Sequence, residues 1–182
     1  MMINLDVRTA MILRHPTEPA VLLLRRSATK KLFPNLITGI GGKVELAQGE
    51  GDDLIGAAWR EFHEETNMPA TLVADVRLRL STLISRGDQQ VLLLWLTGQL
   101  LDLPPDLSCT EGELAFHAID HLPVDEMIPT ARQAIPFVLA LAANDPIIYN
   151  SYLDHDGHLR TNQPSSPVRA AAEAIEKAAA PS

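Results

Sequence analysis

The sequence predicts an α+β (mixed α/β) domain, and three observations carry that reading. Strand-like apolar segments come first, at 3–15 and 20–26, and recur at 71–86 and 89–100. Between them DLIGAAWREFHEET has helical periodicity with signals at both ends. Strands and helices then alternate without the regular βαβ rhythm of a doubly wound parallel sheet. The 182 residues suffice for one such domain with its own core.

In chain order, INLDVRTAMILRH and AVLLLRR are two strands parted by the turn HPTEP, and LITGIGGKVE (36–45) is an extended, glycine-punctuated segment. LAQGEGDD is a polar loop leading into the helix, with Asp52 or Asp53 placed to cap it. Ile55, Trp59, Phe62 and Thr66 recur at i, i+4, i+7 and i+11 and give the helix one inward stripe. Asn67 follows where a left-handed residue ends a helix, a conformation Asn tolerates well. Gly87-Asp88 turns the hairpin between 71–86 and 89–100, and ELAFHAI (113–119) is a shorter strand. TARQAIPFVLALAAN (130–144) reads as a helix that Pro136 starts or kinks, and IIYNSYL with HLRT closes the domain as a hairpin. The domain is expected to span 1–162. Residues 163–182 form a Pro/Ser-rich, then Ala-rich tail in which Ser166-Pro167 suits a short helix start.

The net charge of −8 argues against a nucleic-acid polymer or an anionic membrane as direct partner. A small anion remains compatible wherever cations mask its charge. The single cysteine, Cys109, allows no intramolecular disulfide and no cysteine zinc cluster. The N-terminus lacks a signal-peptide pattern, and VLLLWL and AIPFVLALAA are too short to span a bilayer. A soluble, cytoplasmic protein is expected.

REFHEET, residues 60–66, places Glu61, Glu64 and Glu65 within an arc of about 100° on the helix, beside the apolar stripe. On its own this reads as an acidic face turned to water. A hard cation such as Mg²⁺ supplies the other reading, because it takes oxygen ligands from a few carboxylates plus substrate phosphates. The preceding TGIGGKVE shifts the balance, since Gly39, Gly41 and Gly42 let the backbone turn tightly and approach a ligand. Arg60 lies one turn from Glu64, close enough to pair with it.

Together, GGKVE…GE…AAWREFHEET resembles the signature of the Nudix (MutT-like) hydrolases. The resemblance implies an α/β/α sandwich around a mixed sheet, crossed by a loop-helix-loop box, and extends over roughly residues 5–162. Two departures stand out. Between Gly42 and Arg60 lie 17 residues, four more than the family spacing, and the surplus falls in LAQGEGDD. Glu45, Glu50 and Asp52 are therefore all candidates for the loop glutamate. Asn67 stands where the family has glycine.

The resemblance implies water attack on a nucleoside diphosphate linked to another group. Glu61, Glu64 and Glu65 are then the metal ligands for Mg²⁺ or Mn²⁺, and Arg60 orients a glutamate. The general base is a helix glutamate such as Glu64 or an outside carboxylate, Glu111 or Glu113. Gly41, Gly42, Lys43 and Thr38 are the expected substrate contacts. Arg26 joins them from the basic cluster Arg25, Arg26, Lys30 and Lys31. The order of pieces looks most like the branch that cleaves oxidised purine nucleoside triphosphates such as 8-oxo-dGTP to monophosphate and pyrophosphate. Thr38 and Ile128-Pro129-Thr130-Ala131 replace the polar base-reading residues of that branch. ADP-ribose, nucleotide sugars and dinucleotides are the alternative substrates, and a non-catalytic nucleotide sensor is the alternative of another class.

Overall fold

The computed structural model describes residues 4–142 and 145–162. The tail at 163–182, with its expected helix start, lies outside them. The strands are β1 (Asn4–Arg14), β2 (Ala20–Arg26), β3 (Ile37–Thr38), β4 (Val73–Arg86), β5 (Gln89–Leu100), β6 (Ser108–Cys109), β7 (Gly112–Ala118), β8 (Tyr149–Leu153) and β9 (Leu159–Asn162). They form one mixed sheet ordered β6-β7-β2-β1-β5-β4-β8-β9, with β3 attached to β2. The β1–β5 and β4–β8 pairs are parallel and the others antiparallel.

The long apolar runs follow from burial on both faces. Val7, Met11, Leu13, Leu22, Leu24, Leu94 and Leu96 point to one core, under helix α1 (Leu54–Thr66). Their alternates Ala10, Ile12, Val21, Leu23 and Trp95 point to the other, under helix α2 (Pro129–Ala140). The period of two in each strand thus divides the chain into an α/β/α sandwich. No helix among the described residues is long and apolar enough to cross a membrane.

Helix α1 begins with Asp53, whose carboxylate accepts the Gly56 N–H at 2.7 Å, and ends at Asn67 with φ 54°. Its inward face differs from the expected stripe. Ile55 is 41% exposed and Trp59 only half-buried, whereas Ala57, Ala58, Phe62, Glu65 and Thr66 are buried. The face is rotated by roughly 60° toward the glutamates. Small alanines let the helix settle onto the sheet there, and Glu65 goes inward with them. Helix α2 starts at Pro129, contains Pro136 and stops at Ala140, short of the expected 144. A proline at the first position costs nothing, since that N–H has no helical partner.

The segment expected as a strand at 36–45 is mostly something else. Antiparallel partners β1 and β2 stay in register at Leu13↔Leu22 and Arg14↔Val21, then part. Residues 37–44 enter the gap, pairing first with β2 through Ile37 and Thr38 and then with β1. There Thr9 N–H donates to the Gly42 carbonyl at 2.9 Å, Ile40 to Met11 at 2.9 Å and Val44 to Val7 at 2.8 Å. LAQGEGDD follows as two 3₁₀ turns, Leu46–Gln48 and Glu50–Asp52.

Candidate active site

The site grows from the splayed strands. Because 37–44 lies against β1, its glycines come within reach of α1. Gly41 has φ 144°, and a Cβ there would stand 2.6 Å from the Thr9 carbonyl oxygen. A side chain on Gly42 would collide with the carboxylate of Glu61. Position 41 therefore requires glycine for its backbone, whereas glycine at 42 leaves room for the Glu61 carboxylate that lies on it.

Arg60 is the knot of the helix. It donates to both oxygens of Glu50, at 2.5 and 3.1 Å, to Glu64 at 2.9 Å and to the Lys43 carbonyl at 3.0 Å, and it pairs with Glu61 at 2.9 Å. Glu50 first, and then Glu61, raise its pKa further. Of the three candidate loop acids it is Glu50 that reaches Arg60, and it also accepts the Glu45 N–H at 2.7 Å. The Arg60 bond and that N–H hold its carboxyl below the usual range. Glu45 instead faces Lys43 at 3.4 Å, and Asp52 is exposed. The second 3₁₀ turn, Glu50–Asp52, holds Glu50 against Arg60 of the helix.

The glutamates occupy three environments. Glu64 points outward, its side chain 58% exposed, while Glu61 lies half-covered against Gly42. Glu65 is 7% exposed and accepts the Gly41 N–H at 3.2 Å. Burial, then the neighbouring charge of Glu111, pushes its pKa up to about 8, with Glu61 adding to the rise and Lys30 opposing it. Glu111 is brought to this place by the loop before β7. There Thr110 N–H donates to the Glu65 carbonyl at 2.9 Å, and Lys30 forms an ion pair with Glu111. Glu113 is exposed on β7, opposite Ser108.

Glu50, Glu61, Glu64, Glu65 and Glu111 share only Arg60 and Lys30 as cations, which leaves an oxygen-rich donor set short of positive charge. That set fits a hard divalent cation. Among the described residues, Asp154, Asp156 and His158 are the one group of three metal-capable side chains with ligand atoms within 4.8 Å of one another, and the helix glutamates do not close to that spacing. Asp154 there is engaged in its own turn, accepting N–H groups of Asp156 and His158 and pairing with Arg160.

On the other side of Gly41 and Gly42 opens a cavity of about 240 Å³. Ile84, Val91, Leu93 and Ile128 give it apolar walls, and Thr38, Arg8, Arg26 and Thr130 give it polar ones. Arg26 also donates to the Leu32 carbonyl at 3.2 Å. Lys43 lies outside this cavity, in a separate groove with Glu45. Arg25 is likewise turned away, bonded to Glu126 at 2.6 Å. Sequence reasoning overlooked Asp6, Arg8 and Thr9. Their signal is a polar run within an otherwise apolar strand. Asp6 Oδ1 and Thr9 Oγ1 are buried and lack any hydrogen-bond partner.

A sandwich with a glycine segment laid against a glutamate helix and a cavity beside it is the frame of a nucleotide-cleaving hydrolase. The NUDIX domain model matches residues 5–139, and the chain belongs to the Nudix family. Hydrolases of this family act on nucleoside diphosphate-linked substrates and generally use Mg²⁺ or Mn²⁺. A Nudix hydrolase from Nitrosomonas europaea is similar with a TM-score of 0.63 and 20% identity, over 84% of this chain and 80% of that one. A MutT protein from Bacillus halodurans gives 0.56 and 17%, over 89% and 99%. An Ap4A hydrolase from C. elegans gives 0.50 and 15%, over 74% and 92%. At these identities the likeness is one of fold. A search of curated protein sequences finds no match.

Proposed function

We propose that the chain hydrolyses a nucleoside triphosphate to the monophosphate and pyrophosphate in a divalent-metal-dependent reaction, oxidised guanine nucleotides being included among its substrates. The observation that carries this reading is the meeting of two unlike surfaces at Gly41-Gly42, crowded carboxylates on one side and an apolar cavity on the other. The first suits a polyphosphate with its cations and the second a flat base.

Glu61, Glu64 and Glu65 would hold the metal, with Glu111 beside them. When bound, the ion neutralises phosphate charge and lowers the pKa of water. The chain's own residues do the rest. Arg60 ties Glu50, Glu61 and Glu64 into one orientation, so the helix presents its carboxylates preorganised. Glu64 is the member of the set open to solvent, and we assign it the proton from the attacking water. Arg26 supplies positive charge at the cavity wall, where Arg8 is already paired with Asp6 at 2.9 Å. Asp6 Oδ1 and Thr9 Oγ1 await donors, which the N–H edge of a base supplies. The family resemblance ranks triphosphates first, whereas the fold neighbours span different substrates and do not rank them.

Relative kcat/KM over 8-oxo-dGTP, dGTP, dATP, ADP-ribose, UDP-glucose and a diadenosine polyphosphate tests the assignment. Fastest turnover of the triphosphates supports it. Turnover confined to the last three keeps the metal site and discards the substrate class, and saturable binding without product from any of them marks a sensor.

A further inference from the structure

A second cavity, of about 290 Å³, lies at the other end of the same strands. Arg14, Arg79 and Arg77 line it with Thr97, Gln99 and Leu141. Along β1 and β5 it starts about four residues beyond the first cavity, roughly 13 Å away. The first cavity takes in the start of helix α2 and the second its last turn.

The sequence places arginine here by bending a strand. Strand β4 shifts register against β5 twice, between Ala74 and Arg77 and again between Leu78 and Leu80. The second shift leaves Arg79 as the extra residue. Leu78 and Leu80 consequently pack on opposite faces although two apart, and Arg79 turns under the end of α2. It is 3% exposed, donating to the carbonyls of Ala142 at 2.7 Å and Asp145 at 2.8 Å. Arg14 donates to the Leu139 carbonyl at 3.1 Å.

Three carbonyls do not balance these cations. Each guanidinium carries five N–H donors and a full charge, whereas a helix C-terminus offers about half a negative charge. Among the described residues no carboxylate pairs with Arg14 or Arg79. Asp75, at the rim, is exposed and faces Arg77 at 3.7 Å. Burial and the charge of Arg79 hold the Arg14 guanidinium below its ordinary pKa. On a chain of net charge −8, a buried guanidinium and a half-buried one side by side at an open cavity call for an anion.

We propose that this cavity is an oxyanion site for the phosphate class, in which Arg14 and Arg79 hold a phosphoryl group and Arg77 guards the mouth. A phosphate carries about −1.5 to −2 at neutral pH, close to what the two guanidinium groups and the helix end leave uncompensated. Free inorganic phosphate, pyrophosphate and the phosphoryl end of a nucleotide share that chemistry. The site is separate from the glutamate helix and does not rest on the proposed reaction.

Isothermal titration of the full chain in EDTA at fixed ionic strength tests it, with inorganic phosphate, pyrophosphate and AMP as probes. Chelation keeps the probes from binding through metal at the glutamates. The expected result is one saturable site per chain for at least one probe. Arg14→Gln weakens it at least tenfold, Arg77→Gln weakens it severalfold and Arg26→Gln leaves it unchanged. A preference for inorganic probes identifies free phosphate or pyrophosphate as the ligand, and equal binding of AMP identifies a nucleotide's phosphoryl end. Arg77 is half-exposed, so its variant keeps the test decisive should Arg14→Gln not fold. No saturable binding of any probe, binding that Arg77→Gln leaves intact, or binding lost in Arg26→Gln overturns the proposal.

Discussion

Glu65 sits out of water beside Glu61 and Glu111, so in the metal-free chain it keeps its proton up to about pH 8. An unfolded glutamate ionises near 4.3. Between those values the folded chain holds one proton more than the unfolded chain, and its stability falls as pH rises, by about 1.4 kcal/mol per unit. Above about pH 8 this contribution is lost and the slope ends. His117, whose pKa burial lowers, acts in the opposite sense at the acidic end. The difference between wild type and Glu65→Gln therefore isolates the effect. Urea midpoints in EDTA should lie closest at pH 5, where protonated Glu65 resembles Gln, and separate toward pH 8 as the wild type falls away from Glu65→Gln, and parallel curves would contradict the assignment. Glu64, outward and held by Arg60, has no such folding role. Glu64→Gln is expected to leave the melting temperature within a few degrees and to lower turnover by at least about a hundredfold. The acidic trio was legible from REFHEET, but its division into one buried and one exposed carboxylate was not. That division depends on what Gly41 and Glu111 bring across from other elements.

At the scale of elements, helix α1 and the glycine segment act as one unit, and their contact makes two adjacent glycines differ. Gly41→Ala places a Cβ against the Thr9 carbonyl in a backbone region that L-residues rarely adopt. About 1–3 kcal/mol of stability should be lost, read as a lowered denaturant midpoint. Gly42→Ala meets the Glu61 carboxylate, a movable group, so its expected loss is in turnover, with a smaller change in stability. Equal effects of both on midpoint and rate would contradict this division. Cap, periodicity and terminator announced α1, and Asp53, Phe62 and Asn67 do what their residue types suggest. The rotation of its buried face could not be read from the helix alone, because Ile55 and Trp59 are as apolar as a core requires. The parting of β1 and β2 was equally hidden. Nothing in INLDVRTAMILRH says where its partner leaves, and the polar Asp6, Arg8 and Thr9 gain meaning only once the gap beside them is known.

For the whole molecule, the sandwich follows from strands apolar on both faces, and the sequence displays those runs openly. The connection between distant parts was less visible. Lys30 and Glu111 meet across the loops that flank β2 and β7, and Ile128 and Thr130 reach the cavity from the start of α2. These contacts join the carboxylates to a pocket, which an acidic helix alone does not have. In the function proposed above, carboxylates and pocket act together to cleave a nucleotide pyrophosphate bond with a divalent ion in place. The most direct measurement is a ³¹P NMR time course of dGTP or 8-oxo-dGTP with the full chain, recorded with Mg²⁺, with EDTA and with Glu64→Gln. The account expects monophosphate and pyrophosphate resonances to grow together with Mg²⁺ alone and to stay near background in the other two samples. Release of inorganic phosphate, equal turnover in EDTA, or full turnover by Glu64→Gln would contradict it.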